Sequence, residues 1–275
     1  MTDTAEFEAM EREGWSDPTI ANGYASGFAV ATREVARRLA DEVNAQQDLR
    51  VLDLCTGHGV VAAELVARGC SVTGLDFSEA MILLARSAAP EADFVEGDAM
   101  NMTFSDNSFD AVTIGFGVPH FPEPVRGLAE AARVLKPGGR IAFSIWRGKG
   151  SSGSFGWLFE AVERLGDPSI KLPAGPDAHI LSDPDVAKPM VTKAGFGDFR
   201  IKSVASTLAV TNPESLFDAF DSGAVRAASL LKRQPKAKRD AIRQYLADRV
   251  RSEGLKHERG YLVPAPSVVI SAVRG

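Results

Sequence analysis

Cysteine is scarce in this sequence: its 275 residues contain only Cys55 and Cys70. Two cysteines are too few for a disulfide framework or a structural zinc site, and they indicate a reducing compartment, so we expect a cytoplasmic protein. The sequence also lacks a run of about 18 apolar residues, and we therefore expect no membrane span. Residues 1–13 are polar and acidic and lack the basic and apolar regions of a signal peptide, so none is expected.

An excess of positive charge is also lacking. The sequence has 31 Lys+Arg against 36 Asp+Glu, a formal net charge of −5, which disfavours a general nucleic-acid binder. The basic stretch 232–239 is split by Pro235 and followed by Asp240, so we interpret it as a solvated turn between two helices. The composition, 45% apolar and 24% charged, is that of a folded globular protein rather than a disordered chain.

What is present is an alternation of short apolar strands with helices. The predicted strands of the first half are 50–54, 71–75, 92–96, 109–116 and 140–146, and the predicted helices are 17–45, 60–68, 78–87 and 124–135. The second half predicts helices over 155–165, 185–194, 213–231 and 236–252, with strands over 199–210 and 268–273 and an irregular stretch over 166–184. This order predicts βαβ units with right-handed crossovers, hence an α/β, doubly wound, mostly parallel sheet of seven strands.

Three carboxylates fall at or just after the ends of predicted strands. Asp53 lies at the end of the first strand, Asp76 follows the second, and Asp98 follows the third. Ligands of doubly wound sheets bind at the carboxyl ends of the strands. Between Asp53 and the next helix, Gly57 and Gly59 permit a ligand to approach the backbone closely. The sequence therefore predicts a cofactor site at this edge.

Two cofactor classes compete for this site. The spacing Gly57-x-Gly59-x-x-Ala62, with Asp76 nineteen residues after Gly57, satisfies the dinucleotide fingerprint and leaves an NAD-dependent oxidoreductase open. A carboxylate at position 53 is an unfavourable neighbour for a pyrophosphate, because both groups are negatively charged. S-adenosylmethionine instead presents an ammonium, a sulfonium, a ribose diol and an adenine amine, all of which suit acceptor oxygens. Tyr-x-x-x-Lys is absent at every tyrosine, which counts against short-chain dehydrogenases.

Several segments, in order, resemble class I S-adenosylmethionine-dependent methyltransferases. Residues 51–59 (VLDLCTGHG) resemble their motif I, 74–81 (GLDFSEAM) their ribose-binding segment, and 97–99 (GDA) their adenine-contacting element. Residues 135–139 (LKPGG) resemble the turn before strand five in the small-molecule subgroup around the ubiquinone/menaquinone C-methyltransferases. The resemblance covers about residues 50–147. It implies a Rossmann-like methyltransferase sheet with α-helical cap insertions and S-adenosyl-L-methionine as cofactor.

The resemblance also implies roles for individual residues. Asp53 would support the methionine end of the cofactor, partly through the loop and water, and Gly57 and Gly59 would pass close to it. Asp76 would accept hydrogen bonds from both ribose hydroxyls. Cys55 departs from the family, because it stands where a glycine is often found.

The adenine side is implied in the same way. Phe77 and Met81 would pack on the adenine, Asp98 would accept from its exocyclic amine, and the Ala99 amide would donate to a ring nitrogen. Cys55, Gly97 and Gly115 complete the implied cofactor contacts. The alternative for Asp76 and Asp98 is a purely structural role in capping helices or turns.

Aromatic residues precede the first strand. In the subgroup that the sequence resembles, an N-terminal aromatic segment often folds over the amino-acid end of the cofactor, and Tyr24 is our candidate for that contact. The alternative, which we favour for Trp15 and Phe28, is a hydrophobic face on which the first helix docks.

His120 is the candidate catalytic base. It follows the fourth strand within 115–121 (GFGVPHF), a position that faces the acceptor in related enzymes. A base is needed only when the nucleophile is a poorly acidic hydroxyl or carbon acid, because the sulfonium methyl is already activated and alignment alone can suffice. A plain loop histidine is the alternative. For His58, a place at the cofactor edge or in solvent is expected, and His179 and His257 lie in variable regions.

Missing motifs narrow the acceptor. No Asn-Pro-Pro-Tyr-like run follows the fourth strand, which disfavours methylation of nucleic-acid bases, and no acidic cluster there would bind a metal ion. We expect methyl transfer to oxygen or carbon of a small, largely apolar molecule, with no metal, no nucleic acid and no membrane as partner. A non-methylating S-adenosylmethionine-binding protein remains an alternative, and a homodimer is the candidate assembly.

The domain expectation is a single methyltransferase domain over 1–275. Residues 1–49 form its N-terminal helical segment and 50–147 its cofactor-binding core. Residues 148–182 and 211–264 are expected to form the substrate cap, and the remaining segments to complete the sheet. Most of the aromatic candidates for an acceptor pocket fall in these two cap segments, with core packing as the alternative for each.

Overall fold

The computed structural model describes residues 3–275, without the side chain of Asp3. The chain divides into two compact units. We call Thr32–Ile145, Pro176–Val204 and Ser267–Gly275 the sheet unit. We call Met1–Ala31, Trp146–Gly175 and Ala205–Pro266 the insertion unit, because two of its three segments interrupt the sheet unit.

The sheet unit contains a seven-stranded sheet in the order β3-β2-β1-β4-β5-β10-β6. Its strands are β1 Arg50–Leu54, β2 Ser71–Asp76, β3 Asp93–Glu96, β4 Phe109–Ile114, β5 Leu135–Trp146, β6 Phe196–Val204 and β10 Ser267–Arg274. The pairs β1–β2, β1–β4, β2–β3 and β4–β5 are parallel, and β10 is antiparallel to β6. The doubly wound seven-stranded fold predicted from the sequence is confirmed.

The helices of the sheet unit start and stop at residues whose chemistry requires it. They are α3 Ala29–Glu42, which begins at the junction with the insertion unit, α4 Val60–Ala67, α5 Glu79–Ala88, α6 Pro124–Val134 and α8 Pro184–Lys193. The Ser78 hydroxyl caps α5 by accepting from the Met81 N–H at 3.2 Å. Proline stands first in α6 and α8, where its missing N–H costs nothing. The sequence after Val134 contains proline and two glycines, and the chain continues as strand β5.

The core of the sheet unit is made by side chains of its central strands. Leu52, Leu54, Val112, Ile114 and Phe143 are completely buried. Burial of each such side chain contributes about 1.5–3 kcal/mol. Because neighbouring parallel strands end at the same edge, this packing fixes the relative positions of the loops that follow β1, β2, β3 and β4.

The insertion unit has its own sheet and its own core. Its helices are α1 Asp3–Ser16, α2 Pro18–Gly27, α7 Ser154–Leu165, α9 Ser215–Gly223, α10 Val225–Lys232 and α11 Lys236–Glu253. Strands β7 Thr207–Val210, β8 Leu255–His257 and β9 Gly260–Pro264 form an antiparallel sheet in the order β7-β9-β8. Phe28, Trp157, Phe217 and Phe220 are buried here, so core packing accounts for these aromatic residues.

Three predicted elements are wrong because each of them is divided. The helix expected over 17–45 is two helices separated at Phe28. The strand expected over 199–210 ends in the large sheet at Val204 and resumes in the small sheet as β7. At the break between β6 and β7, Ser206 forms two hydrogen bonds with Ala265 instead of continuing the pairing of the large sheet. The helix expected over 213–231 breaks after Gly223, where a Cβ would lie 2.9 Å from the backbone of Gly23.

Three elements were not anticipated from the sequence, namely helix α1 and strands β8 and β9. Helix α1 is polar over most of its surface and buries mainly Phe7, Glu11 and Trp15, so it lacks an apolar stripe. Strands β8 and β9 form a hairpin of short, largely exposed strands without clear alternation. No helix within residues 3–275 is both long and apolar enough to cross a bilayer.

Arg133 at the end of α6 organises the segment between β3 and β4. Its guanidinium forms an ion pair with Glu130 at 2.8 Å and with Asp106 at 2.8 Å. It also donates to the carbonyl oxygens of Phe104 and Met102, at 2.7 and 3.0 Å. One planar group therefore satisfies acceptors along a segment that has no regular structure.

We expect Arg133→Met to lower the free energy of unfolding by about 2–3 kcal/mol, because hydrogen bonds to a charged group are lost and the carbonyls lose their donors. Urea denaturation measures this change. Arg126→Met on the same helix is the control, because Arg126 pairs only through an exposed contact with Glu123 and should change stability by less than about 0.5 kcal/mol. Equal losses in the two variants would contradict the assigned role.

Candidate functional site

The predicted cofactor residues come together at one edge of the large sheet. Asp53 lies in β1, Asp76 is the last residue of β2, and Asp98 follows β3 by two residues. The Gly97 N–H donates to the Asp76 carbonyl at 2.9 Å, and the Thr56 N–H donates to the Leu75 carbonyl at 3.0 Å. These bonds connect the loops after β1, β2 and β3, which places the three carboxylates around the glycine loop 55–59.

Asp53 is completely buried and bonds to the protein itself. Its Oδ2 accepts from the Thr56 hydroxyl at 2.7 Å, and its Oδ1 accepts from the Thr113 hydroxyl at 2.8 Å. Burial raises the pKa of Asp53 to about 6, although both hydroxyls stabilise the charged form. Asp53 therefore holds the start of the loop against β4, which leaves it an indirect role toward a ligand.

The two threonines were missed by sequence reasoning. Thr113 lies directly opposite Asp53 in the register of β4 on β1. The signal in the sequence was the hydroxyl of Thr113 within the apolar run 109–116. Its role becomes clear only when the register of β4 on β1 is known. Thr56 belongs to the loop that had been assigned through its glycines alone.

Asp76 closes the glycine loop from the other side. Its Oδ2 accepts from the Gly57 N–H at 2.9 Å and its Oδ1 accepts from the Ser78 N–H at 3.0 Å. Burial raises the pKa of this carboxyl, and the backbone donors oppose that shift. Since each carboxylate oxygen has a further lone pair, Asp76 can still accept from a diol. The capping role considered as an alternative is therefore present and is compatible with ligand binding.

Cys55 occupies the backbone conformation for which glycine is usual. Its φ is 55°, in the left-handed region. Burial, with the negative charges of Asp76, Asp53 and Asp98, raises the pKa of its thiol well above the ordinary value. The thiol is therefore protonated at neutral pH and is no nucleophile.

Gly57 and Gly59 have different functions in the structure. Both have positive φ, 54° and 81°. A Cβ on Gly57 would meet nothing closer than 4.0 Å, so the loop faces open space at Gly57, which a side chain would fill. A Cβ on Gly59 would lie 2.7 Å from Ala85 Cα, so Gly59 is required by the packing of α5. The predicted close approach to a ligand is thus geometrically open at Gly57.

The remaining predicted residues of the sheet unit line the same loops. Phe77 is half-buried beside Asp76, and Met81 and Ala99 are buried. Asp98 is half-buried and accepts from the Met100 N–H at 2.8 Å, which is a local turn contact. A Cβ on Gly97 would lie 3.1 Å from Leu75, and one on Gly115 would lie 3.1 Å from Val61, so packing limits both positions.

The four histidines have separate environments. His120 ends a short 3₁₀ turn, Val118–His120, after β4, and its N–H donates to the carbonyl of Gly117, which packs against Cys55 of the glycine loop. Burial, with a smaller effect of Arg33, lowers the pKa of His58 to about 4, so His58 is neutral at pH 7. His179 precedes the 3₁₀ turn Ile180–Ser182, and His257 is exposed in β8.

Tyr24 belongs to the insertion unit. Its ring stacks on Phe28 with centroids 5.0 Å apart and meets Trp15 edge-on at 5.3 Å. Burial raises the pKa of its phenol, which stays neutral. The docking interpretation preferred for Trp15 and Phe28 agrees with this cluster. Among the described residues, no group of three His, Cys, Asp or Glu side chains could hold a metal ion.

The buried Asp53 makes stability depend on pH. Its pKa is near 3.8 in the unfolded chain and about 6 in the folded one, so its contribution is complete below pH 4 and is lost as the pH rises through 6. We expect the unfolding free energy of the wild type, relative to Asp53→Asn, to fall by roughly 3 kcal/mol between pH 4 and 7. Urea titrations of both proteins measure this difference. Parallel pH profiles would show that Asp53 is not perturbed.

Residues 52–143 match a family model described as a methyltransferase domain. That segment runs from β1 into β5 and includes Asp53, Asp76, Asp98 and His120.

Curated relatives match part of the chain. A demethylmenaquinone methyltransferase of Renibacterium salmoninarum is 44% identical over 110 residues, which are 40% of this chain and 46% of the relative. A demethylmenaquinone methyltransferase of Paenarthrobacter aurescens is 34% identical over 157 residues, which are 54% of this chain and 59% of the relative. The chain thus spans about half the length of these relatives.

A solved structure shares the fold. Phosphoethanolamine N-methyltransferase 2 of Haemonchus contortus, in complex with S-adenosyl-L-methionine, aligns with a TM-score of 0.59, at 18% identity, over 98% of this chain and 60% of that one. At this identity the likeness concerns the fold alone. Residues 52–143 therefore match the methyltransferase-domain family, and the relatives and the seven-stranded sheet agree with the resemblance of this segment to class I S-adenosylmethionine-dependent methyltransferases.

Proposed function

We propose that this chain is an S-adenosyl-L-methionine-dependent methyltransferase that methylates oxygen or carbon of a small, largely apolar molecule. The observation that carries the proposal is the position of Asp53, Asp76 and Asp98 around the glycine loop, where hydrogen bonds between the loops after β1, β2 and β3 hold three carboxylates and create a negative potential. A site with this potential favours a cationic ligand.

The donor and acceptor set fits this cofactor better than a dinucleotide. A pyrophosphate would bring negative charge beside three carboxylates, which is unfavourable in a partly buried site. The ammonium and sulfonium of S-adenosylmethionine are attracted there, and the open space at Gly57 leaves room for a ligand beside the backbone. Only the spacing of the glycines therefore still favours the NAD-dependent alternative.

Each loop has a distinct part in holding the cofactor. Asp76 would accept hydrogen bonds from the ribose hydroxyls and would still accept the hydrogen bond from the Gly57 N–H. Asp98, Phe77 and Met81 would contact the adenine. When bound, S-adenosyl-L-methionine supplies an activated methyl group. The protein then has to orient the acceptor in line with that methyl and exclude water.

His120 is the residue of the sheet unit that we assign to proton removal. It lies at the end of the turn after β4, whose Gly117 packs against Cys55 of the glycine loop. Its imidazole can take a proton from an acceptor hydroxyl or an acidic carbon as the new bond forms. With an acceptor that is already ionised, alignment alone is sufficient.

The acceptor class rests on the relatives. They are named for methylation of demethylmenaquinone, so a quinone-like or phenolic ring is the first acceptor to test. In the insertion unit, Trp146 and Phe155 are stacked with centroids 5.1 Å apart, and Phe28 lies against both. These three rings are buried against one another, so core packing accounts for them. The cytoplasmic location, the homodimer and the role of Tyr24 at the cofactor stay predictions.

Calorimetry and mass spectrometry test the proposal together. We expect S-adenosylhomocysteine to bind and NADH not to bind, and a mass increase of one methyl group on a quinone precursor or phenol in a broad acceptor panel. Binding of NADH without S-adenosylhomocysteine would establish the oxidoreductase instead. Cofactor binding without transfer to any acceptor would indicate a non-methylating protein.

Asp76→Ala should weaken binding of S-adenosylhomocysteine by about 1.5–3 kcal/mol, the scale of a lost charged hydrogen bond. Isothermal titration calorimetry measures the affinity. Asp93→Ala is the matched control, since it removes the same charge from an exposed position at the start of β3. If Asp76→Ala binds as tightly as the control, Asp76 does not belong to the site.

His120→Ala should lower turnover at least about tenfold and leave the affinity for S-adenosylhomocysteine near the wild-type value, because a general base contributes to the chemical step alone. Steady-state rates between pH 5.5 and 9 are the measurement. An unchanged rate across this range would remove the base and leave orientation as the whole mechanism.

A further inference from the structure

The segment after β4 turns through a conformation that is costly for its residue. Phe116 has a φ of 61°, in the left-handed region, and is buried. A bulky side chain is rare in this conformation, which glycine or asparagine adopts more easily. Glycines stand on both sides, at 115 and 117, yet the left-handed position is occupied by phenylalanine. Other contacts must therefore hold it.

A buried serine of β5 provides such a contact. The regular pairing of β4 with β5 ends with Ile114 opposite Phe143. One residue further along β5, the Ser144 hydroxyl accepts from the Phe116 N–H at 3.0 Å, and Ser144 is completely buried. The hydroxyl takes the place of a main-chain partner just beyond the end of the ladder, and it bonds to the strained residue itself.

The next residue brings this segment against the glycine loop. A Cβ on Gly117 would lie 2.5 Å from Cys55 Cβ and 2.9 Å from Cys55 Sγ, so only glycine fits. Cys55 is itself left-handed, with a φ of 55°. The His120 N–H then donates to the Gly117 carbonyl at 2.9 Å, which closes the short 3₁₀ turn. The conformation at Phe116 thus determines where Gly117 and His120 lie.

We propose that Ser144 is the positioning residue of the segment Gly115–His120, which it holds over Cys55 by fixing Phe116 in its left-handed conformation. One neutral hydrogen bond and the cost of a left-handed bulky residue are of similar size, so loss of the bond shifts the segment toward a relaxed conformation. The consequence for catalysis rests on the proposed function. The consequence for the segment itself does not.

Thiol labelling of Cys55 measures the conformation of the segment without any cofactor. In a Cys70→Ser background, Cys55 is the sole thiol of the 275-residue sequence. Ser144→Ala should increase the labelling rate about tenfold, because the covering Gly117 is released. The rate should stay flat in low concentrations of urea, which identifies a local opening rather than global unfolding.

Ser271→Ala is the matched control. Ser271 is also a buried strand serine, and its hydroxyl donates to Glu42 at 2.9 Å. This variant loses one hydrogen bond elsewhere in the sheet unit and should keep the parental labelling rate. A parental rate in Ser144→Ala overturns the proposal, and so does a rise that increases steeply with urea and matches the loss of global stability.

Two further variants keep the test decisive if Ser144→Ala does not fold. Ser144→Thr retains the hydroxyl and should label at the parental rate. Gly117→Ala forces the segment away from Cys55 and should label as fast as we expect for Ser144→Ala. Slow labelling of Gly117→Ala would show that this segment does not cover the thiol, and the proposal would fail.

The catalytic consequence is measured separately. With an identified acceptor, Ser144→Ala should raise the acceptor KM or lower kcat about tenfold, while the affinity for S-adenosylhomocysteine falls by a smaller factor. Unchanged kinetic constants with fast labelling would overturn the positioning of His120. A chain that neither binds S-adenosylhomocysteine nor methylates an acceptor would overturn the proposed function and leave the labelling result standing.

Discussion

The site depends on one buried carboxylate. Asp53 accepts hydrogen bonds from Thr56 and Thr113, and it thereby ties the glycine loop to β1 and β4 at the point where both strands end. A charge with no exposed surface is expensive, which is why its pKa rises to about 6. The two hydroxyls reduce that cost and fix the geometry, since a carboxylate bonded on both oxygens has a single position.

The loops above this carboxylate are held in conformations that ordinary residues avoid. Cys55 and Phe116 are both left-handed, and Gly117 lies between them in space. Strain of this kind persists only where surrounding contacts oppose it. Asp76 supplies one such contact at Gly57 and Ser144 supplies another at Phe116. The open space at Gly57 is the product of that arrangement, and it is where a ligand can meet the backbone.

The chain divides its tasks between two units. The three carboxylates and His120 all lie in one continuous segment of the sheet unit, Thr32–Ile145. The insertion unit is assembled from three distant segments around buried aromatic residues. Sequence reasoning assigned the cofactor side in detail because its chemistry is concentrated at strand ends. It assigned the acceptor side only as a class, because aromatic residues that pack a core and those that line a pocket have the same composition.

The sequence by itself determined the seven strands, the parallel core and the three carboxylates, because strand alternation and the ends of parallel strands follow from local pattern alone. Only the tertiary structure showed that the strand after Phe196 changes sheet near Ser206, that Thr113 faces Asp53, and that Ser144 holds Phe116. Each of these depends on which strands are neighbours and in what register, and hydrogen bonds between residues 28 to 60 positions apart leave no periodic trace in the sequence.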